Sequence, residues 1–467
     1  MKFWLIEGVM MAAIFSSAGE MNVEPDYLRY YDVFPLTVAA DKRATVTVRP
    51  RFGHARFTGE LTVKVYPIDG RRQNGAFAYG GLDGVEFNLD DSGALRVTAD
   101  FSGEQQFDIV ACFTRPATRW EPERRVERRF RVYSLAEDLR ELRPFKGDFH
   151  MHSTGSDGVE APEYVAVRCR EEGFDFAALT DHYRYSPSLE AIRAVGAFPS
   201  DFKLFPGEEV HLPGNRVHIV NFGGAFSVNE LAEKEPDKFR QETAERLAAI
   251  TEITPENGGM AVAISEWAFD MIGKGGGVAM FCHPYWQTQG YDINEAVTSA
   301  ILKRRKFDVF EVVGGFAVPG EWRSNNLQIA RYYAEREAGN HFPVAGVSDG
   351  HGVDSGALFT WYYTIVLAKS DSFADIAAAI KAGNCVAVEA AQGSVPRVYG
   401  DFRLVKYVTF LLENYFPRHR ALCRDEGALL RAALGGDARA VPALKALLGR
   451  VPEFRERCFA PPPQQQQ

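Results

Sequence analysis

From Asp26 to Tyr133 apolar and polar residues alternate in short stretches rich in β-branched and aromatic side chains. Ala44–Val48 (ATVTV), Leu61–Tyr66 (LTVKVY), Ala94–Phe101 (ALRVTADF) and Phe107–Phe113 (FDIVACF) carry the pattern, with turn clusters Asp69-Gly70 and Asp91-Ser92-Gly93 between them. Alternation punctuated by turns predicts antiparallel strands, hence a β-sandwich-like domain over residues 25–135.

After a short polar helical stretch, Leu135–Leu142, the texture changes. Apolar runs now alternate with helical stretches: Asp148–His152, a helix around Glu163–Glu172, Phe174–Thr180, a helix around Leu189–Val195, Leu204–Val210 and Val217–Phe222. Val278–Cys282, Val309–Val313 and Val344–Val347 continue the series. Strand–helix alternation implies an α/β class with parallel strands, and seven or more strands over residues 147–400 are enough for a barrel. A charged stretch, LAEKEPDKFRQETAERLAAI, followed by AISEWAFDMI, interrupts the series and predicts a helical insertion over about 228–275, which near Trp267 and Phe269 is expected to cap the barrel mouth. Residues 401–460 read as a helical C-terminal extension, and the PPPQQQQ end as a low-complexity tail.

Composition narrows the class. The chain has 467 residues, 46% hydrophobic and 25% charged, as in soluble globular proteins of about three domains. Its 62 acidic and 53 basic residues give a formal charge of −9. General nucleic-acid binding, which depends on neutralising phosphates with Lys and Arg, is therefore not expected. The run Arg124–Arg131 (RRVERRFR) reads as the solvated face of a strand. Six scattered cysteines without a CxxC pair suggest reduced thiols. There is no uncharged apolar run of membrane-spanning length, so no membrane partner is expected. The start, MKFWLIEGVMMAAIFSSAGE, has signal-peptide features, but Glu7 breaks its apolar region and its basic region is a single lysine. A cytoplasmic location is expected.

The chemistry lies in the histidines. Six of ten, His150, His152, His182, His218, His283 and His351, fall at or just beyond the C-terminal end of an expected strand. Asp157, Asp181, Glu208, Glu209 and Asp349 accompany them. In a β/α barrel these ends open on one face, where active sites are built. His150-Met151-His152 sets two imidazoles on the same side of an extended segment, and Asp349-Gly350-His351 does the same with a carboxylate and an imidazole. Mixed His and carboxylate donors suit Zn²⁺, Mn²⁺ or Fe²⁺, and nine candidate ligands imply two to three divalent ions.

In order, GDFHMHSTGSDG (Gly147–Gly158), LTDH (Leu179–His182), PGEEVH (Pro206–His211), VHIVNF (Val217–Phe222), CHP (Cys282–Pro284) and GVSDGH (Gly346–His351) resemble the successive motifs of the PHP (polymerase and histidinol phosphatase) superfamily. The resemblance covers about residues 147–390 and implies a distorted (β/α)7 barrel with a trinuclear metal centre. By position, His150, His152 and Asp349 would hold one ion, with Glu209 bridging to a second that His218 and His283 complete. Asp157, His182 and His351 would hold the third. Some branches carry His at the position of Asp157; the SDG form here is similar to the phosphoesterase branch and to carbamate-cleaving relatives. The implied reaction is hydrolysis by a metal-bound hydroxide. A small-molecule phosphate ester is the first substrate class, and a carboxylic ester or carbamate the second. A non-catalytic, metal-stabilised scaffold is a further reading, but such scaffolds typically lose ligands and none of the nine is missing.

The expected catalytic residues are Asp181, His182 and Asp349. Asp181 is expected to fix an imidazole instead of ligating a metal, because metal-bound His donates its second N–H to such a group. Glu208 and Glu209 are neighbours on a strand and face opposite ways, and the motif register favours Glu209 for the metals. Tyr285 and Trp286 could wall the pocket, Glu311 could touch substrate, and Arg216, Lys274 and Arg323 could contact an anion. Cys282 reads as core. His54, His211, His341 and His419 carry no motif support.

Overall fold

A computed structural model describes residues 25–459 apart from 74–75, 79, 288–289, 316–321 and 355–357. The signal-like start and the PPPQQQQ end lie outside the described residues. The chain forms two compact units: one comprises 23–143, 406–419 and 449–467, and the other 144–405 and 420–448, apart from the N-terminal residues 1–22. The helices read from sequence as one extension over 401–460 are thus shared between the two units.

The first unit contains β1 (Tyr31–Phe34), β2 (Thr37–Ala39), β3 (Lys42–Pro50), β4 (Leu61–Pro67), β5 (Arg71–Gln73), β6 (Ala76–Ala78), β7 (Glu86–Leu89), β8 (Leu95–Phe101), β9 (Gln106–Arg115) and β10 (Arg124–Leu135). Two four-stranded sheets have the orders β1-β3-β8-β7 and β2-β10-β9-β4, while β5 and β6 pair with each other. All pairs are antiparallel except β2 with β10. Alternate residues of β8, Leu95, Val97, Ala99 and Phe101, are buried. Rings from the two sheets meet between them, with Phe101 on Phe107 at 5.1 Å and Tyr31 on Phe130 at 5.0 Å. Arg125, Glu127, Arg129 and Arg131 share the charged face of β10, where Arg129 pairs with Asp108 at 2.9 Å and Arg131 with Glu413 at 2.5 Å.

The second unit holds β11 (Arg143–Asp148), β12 (Phe176–Ala177), β13 (Lys203–Leu204), β14 (Gly207–Val210), β15 (Ile219–Phe222), β16 (Val278–Phe281), β17 (Val309–Val313), β18 (Val344–Gly346), β19 (Tyr362–Ala368), β20 (Cys385–Glu389) and β21 (Arg397–Tyr399). They form a six-stranded sheet, β13-β12-β11-β19-β20-β21, and a five-stranded sheet, β14-β15-β16-β17-β18. The class is mixed α/β. Pairing is parallel from β11 to β13 and from β16 to β18, as the alternation implies. The expected parallel architecture is corrected at β14–β15–β16, which are antiparallel; β19–β20–β21, which the sequence reading did not name, are antiparallel as well. The short loop after Val210 can close only an antiparallel pair, because a parallel return needs a longer crossover.

Apart from β13 and β21, strands here are buried on both faces. Ala279 and Phe281 of β16 enter one apolar cluster, and Val278 and Met280 enter another. That is why these segments read as unbroken apolar runs. Three helices, Val228–Lys234, Pro236–Ala248 and Gly259–Lys274, fill the gap between β15 and β16. Trp267 and Phe269 of this insertion are both buried, Trp267 edge-on to Phe239 and Phe269 against Phe307. Within this unit Arg170 is fully buried, donates to Glu426 at 2.7 and 3.1 Å, and joins helices Pro162–Glu171 and Phe416–Leu434. Among the described residues no helix is long and apolar enough to cross a membrane.

Candidate metal centre

Most ligand-bearing segments follow strand ends, but Glu209 lies within β14, and the expectation that His218 follows a strand end is corrected: it precedes β15, which runs antiparallel to its neighbours. Backbone hydrogen bonds fasten several of these segments to one another. Asp148, the last residue of β11, accepts from the amides of His150 and Ser348, each at 3.2 Å. The Asp349 amide donates to the His150 carbonyl at 2.8 Å, and the His152 amide donates to the Gly350 carbonyl at 2.9 Å. Residues two hundred positions apart are thereby held side by side. Asp349 has φ +49°, a left-handed conformation that Asp tolerates better than most residues. A second fastening joins His182 to Glu209, through the Glu209 amide on the Asp181 carbonyl at 3.2 Å. The turn through Asp157 needs glycine at 158, where a Cβ would lie 2.6 Å from the His152 carbonyl.

Glu209 sits at the middle. Its Oε2 lies 2.7 Å from His182 Nδ1, 3.4 Å from His150 Nε2 and 3.5 Å from His152 Nε2. Its Oε1 lies 2.8 Å from His218 Nδ1 and 3.7 Å from His283 Nε2. Asp349 Oδ1 approaches His152 Nε2 at 2.9 Å and His150 Nε2 at 3.3 Å. Asp157 Oδ1 lies 3.3 Å from His351 Nε2 and 3.5 Å from His182 Nε2. The nine residues expected as metal ligands thus converge, and subsets such as His152–Asp157–His182–His351 and His150–His152–Glu209–Asp349 have donor atoms close enough to share an ion.

Several of these atoms are buried without a hydrogen bond: His150 Nε2, His152 Nδ1, His218 Nδ1 and both Glu209 oxygens. Buried polar atoms are ordinarily paired, because desolvation without a partner is costly. Carboxylate and imidazole atoms close together but not aligned as donor and acceptor are what a metal site requires, so the residues fit divalent ions.

Electrostatics reinforce the fit. Burial would raise the carboxyl of Glu209, yet the rings of His218 and His150 outweigh it and hold the group well below the usual carboxylate range. Asp349 is held down in the same way against its burial, by His150 and His152. Both carboxylates are therefore anionic at neutral pH. Burial lowers the pKa of His152 and His218. At His283 burial is outweighed by Glu311 and the other carboxylates, raising the ring to about 9. Burial grades outward, from His150 and Glu209 with no exposed side-chain surface to Asp157 at 59%.

The other candidates separate clearly. Glu208 turns away from the cluster, accepting from Ser227 Oγ at 2.6 Å, the Val228 amide at 2.5 Å and Asn229 Nδ2 at 3.0 Å. The expectation that Asp181 fixes an imidazole is corrected. Its carboxylate accepts from the Ser153 amide, Ser153 Oγ and Ser156 Oγ, each at 2.8 Å, so it braces the loop after His152. Glu311 takes the imidazole role instead, accepting from His150 Nδ1 at 3.1 Å with no exposed surface. Trp286 lies 5.8 Å from the His218 ring, whereas Tyr285 turns to Arg331. Arg216 pairs with Asp292, the Lys274 amine lies by Met271, and Arg323 is exposed on a helix. Burial pushes the Cys282 thiol up, so it stays protonated. His54 and His419 belong to the other unit, and His341 precedes β18, at the end opposite Asp349. His211, without motif support in the sequence, lies inside the cluster, its Nε2 2.8 Å from His182 Nδ1.

No family model matches the chain. The DNA polymerase/3'-5' exonuclease PolX of Bacillus subtilis is 40% identical over 93 residues, 17% of this chain and 16% of that protein. A two-domain protein of Bacteroides vulgatus containing a predicted PHP-like metal-dependent phosphoesterase aligns over 53% of this chain and 65% of its own, at 17% identity and a TM-score of 0.37. A protein of Bifidobacterium adolescentis described as a metal-dependent phosphoesterase aligns over 44% and 88%, at 18% identity and 0.29. An amidohydrolase of Chromobacterium violaceum with bound sulfate and no metal aligns over 44% and 87%, at 20% and 0.29. The chain resembles PHP-like proteins, and spans less than two thirds of both the PolX and the Bacteroides relatives.

Proposed function

We propose that the chain is a metal-dependent hydrolase of the PHP type, foremost a phosphoesterase acting on a small-molecule phosphate ester. The carrying observation is the convergence of nine His, Asp and Glu side chains with buried ligand atoms that have no hydrogen-bond partner. In this reading His150, His152 and Asp349 would hold one ion, Glu209, His218 and His283 a second, and Asp157, His182 and His351 a third. Manganese, zinc or iron suits these donors.

Such ions supply Lewis acidity and lower the pKa of water toward neutrality. The chain's own residues keep the donors in place and charged as required. Glu209 and Asp349 remain ionised. Glu311 holds the His150 ring so that Nε2 faces inward. Asp181 braces the serine loop that carries Asp157 toward the open side, where substrate would enter. Neither Cys282, buried and protonated, nor a serine is needed as nucleophile.

We read the two sheets of the second unit as a distorted (β/α)7 barrel and those of the first as a sandwich, in a cytoplasmic protein. The test is hydrolysis by the Mn²⁺-reconstituted protein, beside Asp349→Asn, of a phosphomonoester, a phosphodiester and an aryl carbamate. Phosphate-ester cleavage lost in the variant supports the reading. Carbamate cleavage alone would move the assignment to the second substrate class, and silence on all three would count against a phosphoesterase.

A further inference from the structure

His211 follows Glu209 by two residues, and in extended chain that spacing puts both side chains on the same side. Its Nε2 lies 2.8 Å from His182 Nδ1 in hydrogen-bond geometry. Glu209 Oε2 is as close to the same nitrogen, at 2.7 Å, yet that oxygen has no hydrogen bond, so the Nδ1 direction points to His211 and away from the carboxylate. The opposite nitrogen of the ring, His182 Nε2, faces Asp157.

A neutral imidazole carries one proton, and the nitrogen that binds a metal must be the bare one. If His182 ligates through Nε2, Nδ1 carries the proton and needs an acceptor. We propose that His211 is that acceptor: a positioning residue that fixes the His182 tautomer and keeps its N–H off Glu209, leaving both Glu209 oxygens to the ions. The inference rests on the metal-centre reading above.

His211 is itself held for this task. Its amide donates to Asn229 Oδ1 at 2.9 Å, and Asn229 Nδ2 donates to the Glu209 carbonyl at 3.1 Å, so one side chain of helix Val228–Lys234 fixes both positions. The ring of Tyr183 lies against His211 at 4.6 Å, and Tyr183 adopts φ +60°, a costly conformation for a bulky residue.

The test measures Mn²⁺ and Zn²⁺ stoichiometry and affinity calorimetrically for the wild type, His211→Gln and His211→Phe, each demetallated and checked for fold by circular dichroism. Gln presents an amide oxygen near the place of Nε2; Phe fills the space without an acceptor. The expected result is an affinity loss of about 10- to 100-fold for at least one ion in the Phe variant, with the Gln variant within about threefold of wild type. Equal losses in both variants would overturn the inference by making His211 a ligand in its own right, and unchanged affinity in the Phe variant would overturn it as well. A wild type that binds no divalent ion would instead refute the underlying metal-centre reading.

Discussion

Replacing Glu311 by glutamine should weaken metal binding without unfolding the chain. Glu311 ends no loop and meets no solvent: it lies within β17, has no exposed surface, and accepts from His150 Nδ1 at 3.1 Å. Its negative charge favours the tautomer in which Nδ1 carries the proton and Nε2 is bare. Gln keeps the shape and an acceptor oxygen but loses the charge, and a charge-assisted hydrogen bond is roughly twice as strong as a neutral one. Partners of this kind typically contribute 10- to 100-fold to metal affinity. Since Gln retains a neutral acceptor, its loss should fall near 10-fold, about 1.4 kcal/mol; Glu311→Ala, with no acceptor, should approach 100-fold, about 2.7 kcal/mol. Competition of the demetallated protein with a chromophoric chelator for Zn²⁺ reads these differences, with circular dichroism as the check on fold. If both variants bind within twofold of wild type, Glu311 does not orient a ligand and the account of His150 is wrong.

Other substitutions probe how the second unit is built. Glu426→Ala leaves the buried Arg170 guanidinium only the Phe174 carbonyl and Asp175 and should cost about 3–5 kcal/mol in urea unfolding, whereas the pair Arg170→Met with Glu426→Leu should cost less. Gly427→Ala would set a Cβ 2.3 Å from the Glu171 amide nitrogen, forcing two helices apart, with a loss of about 1–3 kcal/mol in the same assay. Gly158→Ala would press on the His152 carbonyl at 2.6 Å, and should lower metal affinity more than the midpoint of unfolding, measured on the same samples.

Much of the site was legible in the sequence because its donors come in short motifs. The HxH spacing puts its pair on one side of an extended segment, whereas Asp349 of the DxH motif is left-handed and turns to His152 while His351 faces Asp157. His211 escaped that logic although it obeys it: Glu209 and His211 are also two apart, and a period-two reading of PGEEVH would have found it. Glu311 carried a similar signal, a lone carboxylate inside the apolar run VFEVV. The role of Asp181 was not legible, since an acid next to a histidine says nothing of the two serines that reach it from 28 and 25 residues away. Strand direction was hidden too. Runs buried on both faces, such as Val278–Phe281, read alike in parallel and antiparallel pairs, and only the short connection from β14 to β15 discriminates. Strands 362–368 and 385–389 follow the motif-bearing segments and carry no histidine, so site-directed reading passed over them.

The most direct test of the central claim is a metal count. After reconstitution with Mn²⁺ and removal of free ion, elemental analysis of the wild type should return two to three ions per chain. Asp349→Asn and His218→Ala should each return fewer, with the far-ultraviolet spectrum unchanged. Less than one ion per folded wild-type chain, or the same count in all three proteins, would contradict the account.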